Sequence, residues 1–203
     1  MSIYTWPSTL IPNQMTLRYL AVNKVFRSPL NGNMQTASRP GSWLAFDIVL
    51  STLTNAQRSE LQGFLAKLDG QLNYFTMPYY GHVNLGALGG TPVVNGAGQT
   101  GASIATSGWP NNTLVLKRGD VVGIGTELKI ITDDVNSDGT GHATLPIRPS
   151  QRNAPTNGSA IVTTDPTGIF VLEQPNVGVN SISNPDIRMG TAAFTVIEMV
   201  TQP

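Results

Sequence analysis

Residues 43–77 read WLAFDIVLSTLTNAQRSELQGFLAKLDGQLNYFTM, and this stretch decides the fold. Leu44, Phe46, Ile48 and Leu50 alternate with Trp43, Ala45, Asp47 and Val49, the period-two signature of a strand with one well-buried face. Thr54 to Gln57 then reads as a capping box, and Leu61, Phe64, Leu65 and Leu68 follow at helical spacing. Gly70 supplies a left-handed stop. The spacing predicts one helix of about 14 residues that lays a single apolar stripe on a core, its other face carrying Arg58, Glu60, Gln62 and Lys67. Leu72 to Met77 follows as a short aromatic strand ended by Pro78.

Little else in the chain has helical periodicity. Toward the amino end, Met15 to Val25 reads as a strand, followed by Asn31, Gly32 and Asn33, which tolerate the positive φ of a hairpin turn. Toward the carboxyl end, Ala192 to Val200 reads as a closing strand. Between them the composition shifts near residues 81–90 to a Gly-, Thr- and Asn-rich segment with short Val, Ile and Leu runs. Strands are expected there at Ser103 to Thr106, Thr113 to Leu116, Val121 to Ile124, Glu127 to Ile131, Gly141 to Ile147 and Ala160 to Val162. So many short strands fit a small closed barrel, because closure removes edges that short strands cannot protect.

Composition narrows the function. The 203 residues include no cysteine, so disulfides, thiol nucleophiles and thiolate metal sites are excluded. Charged residues are only 12% of the chain, about half the usual globular share of roughly 25%. A surface so poor in charge repels neighbours little and suits a protein packed against other subunits. Lys plus Arg balances Asp plus Glu at 12 each, which leaves no net charge to draw the chain onto nucleic acid or anionic lipid. The opening MSIYTWPSTLIPNQ has no basic region followed by an apolar one, and no long apolar run occurs elsewhere. The expectation is a soluble product made in the cytosol, with no membrane partner.

Candidate chemistry is sparse. Asp134, Asn136, Asp138 and Gly139 match the opening of a calcium loop, but the position that should hold a bidentate Glu is Leu145, so a polar hairpin turn is expected. The two histidines, His82 and His142, have no nucleophile motif beside them. Asp133, Asp134, Asp138 and Asp165 could compose a carboxylate pair for glycoside hydrolysis, yet acids clustered in turns are ordinary turn formers. Gly96, Gly98, Gly101, Gly123 and Gly125 do not open a helix after a strand, as a phosphate cradle requires. Trp43, Tyr74, Phe75, Tyr79, Tyr80 and Trp109 could form a sugar-stacking platform, with packing as the simpler use. No catalytic, cofactor-binding or metal residue is assigned, and no cofactor is expected.

The order of the tryptophan-bearing strand GSWLAFDIVLSTLT, the helix AQRSELQGFLAKLDGQ and the aromatic strand LNYFTMPYYG, followed by an insertion, resembles the distal tail proteins of long-tailed phages (siphophages). The inserted stretch is similar too, with an LKRGD turn at residues 116–120, then ELKIITDDV and ATLPIRP. The resemblance runs from about residue 40 to about 172. It implies a mainly β fold in which residues 1–84 and 172–203 form a tail-tube-like β-sandwich with one packed helix, interrupted by an OB-like barrel at 85–171.

It further implies a virion structural protein rather than an enzyme, located at the tail tip or baseplate. Such subunits form a hexameric ring that joins the tail-tube protein to the baseplate hub or tip, with side-fibre proteins as further partners. Phage DNA passes through the lumen without sequence-specific contact. The competing readings are a tube or hub subunit, a carbohydrate-binding module using Trp109 or Tyr79 and Tyr80, and a glycosidase.

Overall fold

The computed structural model describes residues 1–38, 41–181 and 190–199. Five strands come first: β1 (Ile3–Thr5), β2 (Gln14–Leu20), β3 (Asn23–Arg27), β4 (Met34–Ser38) and β5 (Trp43–Leu53). Helix α1 (Asn55–Leu68) and β6 (Tyr74–Pro78) follow. The inserted segment contributes β7 (Val93–Val94), β8 (Gly101–Ser107), β9 (Leu114–Leu116), β10 (Val121–Ile124), β11 (Glu127–Ile131), β12 (Val135–Asn136), β13 (Ala143–Gln151) and β14 (Ile161–Val162). Strands β15 (Thr167–Leu172), β16 (Asn180–Ser181) and β17 (Gly190–Glu198) complete the described chain. The fold is mainly β with one helix, as the sequence leads one to expect.

The first sheet runs β1-β6-β15-β17-β5-β2, with β16 paired to β17. Its long central pairing sets Phe194 opposite Ile48 and Val196 opposite Phe46, so the apolar alternation of β5 meets that of β17 on one face. Across that face lies α1, whose buried Leu61, Phe64 and Leu68 form the expected stripe. Thr54 accepts from the Gln57 backbone N–H while the Gln57 side chain accepts from the Thr54 N–H, completing the capping box. Asp69 is the left-handed cap residue, with φ of 49°, and Gly70 follows it with φ of 64°, so the left-handed stop expected at Gly70 begins one residue earlier. Trp6 packs its ring edge-on to Phe64 at 5.3 Å and donates Nε1–H to the Leu10 carbonyl. The layer facing the sheet is formed by α1, the Trp6 to Leu10 segment and part of the inserted unit.

The inserted strands form a sheet in the order β14-β10-β11-β13-β8-β7. A bridge between Val93 and Ala160, beside the Ile161 N–H bond to the Pro92 carbonyl, brings its two ends together and makes a nearly closed barrel. Its interior is filled by Val94, Ile104, Trp109, Val115, Leu116, Val122, Ile124, Ile131, Leu145 and Ile147. Val121 and Leu128 turn the other way and belong to the core of the first sheet. The two units thus share apolar packing.

Three expectations need correction. The strand expected over Met15 to Val25 is two strands, because β2 pairs with β5 while β3 leaves that sheet to pair with β4. Residues 167–171, read as part of the barrel, belong to β15, which pairs with β6 and β17 in the first sheet. The closing strand, expected from Ala192, starts at Gly190, and Val200 lies outside the described residues.

Candidate functional site

Strands β3 and β4 form an arm that pairs with no other strand. Asn23 to Arg27 register antiparallel with Ser38 to Met34, and the turn is closed by the Ser28 N–H bond to the Asn33 carbonyl. Asn31 Oδ1 accepts from the Asn33 N–H, and Gly32 takes φ of 70°, so these residues build the turn that their types suggest. Every residue of β3 is exposed. Val25 is 56% exposed, Phe26 49%, Leu30 97% and Met34 70%, a density of solvated apolar side chains not repeated over so short a span elsewhere among the described residues. A lone two-stranded ribbon is marginal in water, and this one has neither a covered face nor a charged edge on β4.

Charge is distributed unevenly around that arm. Residues 1–46 contain Arg18, Lys24, Arg27 and Arg39 and not one acidic residue. The remaining chain holds all 12 acidic residues. The arm is therefore a basic, apolar projection on a body with an acidic excess, although the chain as a whole is neutral. Lys24 lies over the Phe26 ring at 5.0 Å, which keeps that cation beside the apolar tip.

A second cluster sits where the barrel meets the first sheet. Asn84 donates to the carbonyls of Val121 and Thr163 and accepts from the Val121 N–H, all at 2.8 Å, so one amide ties together the entry and exit of the inserted segment. Buried Asp120 accepts from the N–H groups of Leu85, Gly86 and Lys117. Gly168 of β15 leaves room for Leu128, whose Cγ would lie 3.1 Å from any Cβ placed there. Next to Leu128, Glu127, Lys129, Gln151 and Glu198 are all buried. Lys129 Nζ pairs with Glu127 Oε2, while Glu127 Oε1 accepts from Gln151 Nε2 and from the Asn153 N–H. Glu198 Oε1 accepts from the Leu128 N–H at 2.6 Å.

The residues singled out from sequence have ordinary structural uses. Asp138 Oδ1 accepts from the N–H groups of Thr140 and His142 and from the Thr140 hydroxyl, and these bonds lower its carboxyl to about 2. Asp134 caps the Arg118 N–H, Asn136 lies in β12, and Leu145 is a barrel-core residue. Among the described residues, no group of three or more His, Cys, Asp or Glu side chains is placed to hold a metal ion. Asp133 accepts from Thr132, and Asp165 occupies a left-handed turn position with φ of 45°.

His82 stacks on Tyr79 at 5.0 Å and meets Asn84, while His142 meets the Thr140 hydroxyl. Trp109 is buried in the barrel with its Nε1–H donated to Thr106, which removes it from any sugar-stacking surface. Tyr74 and Phe75 are buried, and Trp43, Tyr79 and Tyr80 are half-buried. None of Gly96, Gly98, Gly101, Gly123 and Gly125 opens a helix; α1 is the one helix among the described residues.

The buried quartet was the feature sequence reasoning passed over. Its signal is an ionisable residue in step with an apolar face: Glu198 follows Ala192, Phe194 and Val196 at period two, and Glu127 and Lys129 lie in step with Ile131. No protein-family model matches the sequence, and no curated protein matches it.

Proposed function

We propose that this chain is a structural assembly subunit that packs side by side with copies of itself into a closed ring, in the manner of the phage distal tail proteins it resembles. In that role it joins a tail tube to a baseplate hub at the tail tip, and it performs no catalysis. The observation that carries the reading is the arm, β3 with β4, whose exposed Val25, Phe26, Leu30 and Met34 find no cover among the described residues. Identical subunits that meet through unlike faces form a ring where the rotation between neighbours closes, and a filament where it does not. A basic apolar arm on a body with an acidic excess has the complementarity such a head-to-tail contact uses.

Native mass spectrometry of the full chain tests this. A sixfold species or its multiples is expected, with electron microscopy showing single or paired rings. Long filaments would point to a tube subunit instead, and monomers at all concentrations would refute the assembly role. A carbohydrate-binding role loses its best residue to the barrel interior, since Trp109 is buried.

A further inference from the structure

The quartet Glu127, Lys129, Gln151 and Glu198 lies at the contact between the barrel and the first sheet. Glu127 and Lys129 are on β11, Gln151 on β13, and Glu198 on β17. The hydrogen bond from the Leu128 N–H to Glu198 Oε1 crosses from one unit to the other. Two carboxyl groups are therefore buried with one ammonium at this contact, Glu127 paired directly with Lys129 and Glu198 held by the Leu128 N–H of the residue between them.

We propose that this junction is a proton-operated catch: a proton on Glu198 balances the quartet and closes the barrel onto the first sheet, and loss of that proton leaves two carboxylates against Lys129 and loosens the contact. The opposing groups can be named element by element. From β11, Lys129 attracts the Glu198 carboxylate and Glu127 repels it. From β5, the Leu44 N–H stabilises it, while Asp47 on that strand is turned to the other face, bonded to Thr195 and Arg18. Strand β15 offers no ionisable residue, and β13 offers neutral Gln151 with Arg148 exposed. At the rim, the Arg152 guanidinium donates to the Ser42 carbonyl. Burial is the largest influence on Glu198 and holds its carboxyl at about 7, well above the usual carboxylate range.

The sign follows from linkage. A carboxyl that keeps its proton to higher pH when folded than when exposed makes the folded arrangement less stable as pH rises between the two values, and adds no further change above the higher one. The closed junction is therefore tightest at about pH 4.5 and weakens up to about pH 7.

Hydrogen exchange on the full chain between pH 5 and 8, corrected for intrinsic exchange, reads this directly. Protection at Val121 to Ile131 and at Thr167 to Leu172 should fall by up to about tenfold per pH unit up to neutrality and then level off. Glu198→Gln should flatten that dependence, and Glu127→Gln should shift its midpoint to lower pH. Parallel profiles for the native protein and Glu198→Gln would overturn the proposal. Should the Gln variant fail to fold, carbon-13 NMR of the native Glu198 carboxyl decides: a midpoint in the ordinary carboxylate range overturns the catch, and one near neutrality supports it.

Discussion

Truncating Leu128 to Ala tests whether barrel and first sheet unfold as one body. Leu128 is fully buried, sits on a barrel strand, and packs in the core of the first sheet above Gly168. Removing its isobutyl group costs the transfer free energy of the lost carbons plus a cavity term, about 3 kcal/mol for a buried leucine. For a chain of this size that corresponds to a melting temperature lower by about 6–12 °C. Trp6 reports on the first core and Trp109 on the barrel interior, so single-tryptophan versions retaining one or the other follow each unit by fluorescence. The expected result is a single coincident transition in urea, displaced equally for both probes. Two separated transitions, or a displacement seen by Trp109 alone, would refute the shared-core reasoning.

Other perturbations separate assembly from folding. Phe26→Ser, at an exposed arm position, should leave the melting temperature nearly unchanged while shifting native mass spectra from ring to monomer; an unchanged oligomer would count against the arm. A Cβ at Gly86 would lie 2.2 Å from the Val115 carbonyl oxygen, so Gly86→Ala should destabilise by ~1–3 kcal/mol in urea titration. Loss of the Thr54 cap in Thr54→Ala should cost about 1 kcal/mol and increase fraying of α1 by hydrogen exchange. Asp138, held at about 2 by its turn hydrogen bonds, contributes stability that is present above the ordinary carboxylate range and lost as pH falls through that value. Its NMR titration should show this low midpoint, and Asp138→Ala should remove that share of the acid-side loss.

Where side-chain period and capping chemistry agree, the sequence is readable. Strand β5 alternates because one face is buried, and Thr54 with Gln57 marks the start of α1 almost to the residue. Strands β10 and β11 match their expected bounds because a Gly125 turn separates two apolar runs. Strand β15 was misplaced for a physical reason: its burial on nearly every residue gives no alternation, and local pattern does not reveal which sheet a continuous apolar run joins. The break between β2 and β3 is hidden likewise, since Leu20, Ala21 and Val22 carry apolar character straight through it. The quartet escaped notice because partners far apart in sequence, Glu127 and Glu198, are brought together only by the tertiary fold.

The pairing of Pro78 with Thr167 carries a further consequence. Strands β6 and β15 are antiparallel neighbours, so everything between them is, topologically, the loop of one hairpin. A tight turn could in principle substitute for the whole barrel, or another module be transplanted there as a cassette, without rethreading the host sheet. Any such graft must also cap the greasy footprint vacated by Val121 and Leu128, and this is the constraint that would decide which replacements yield a soluble product.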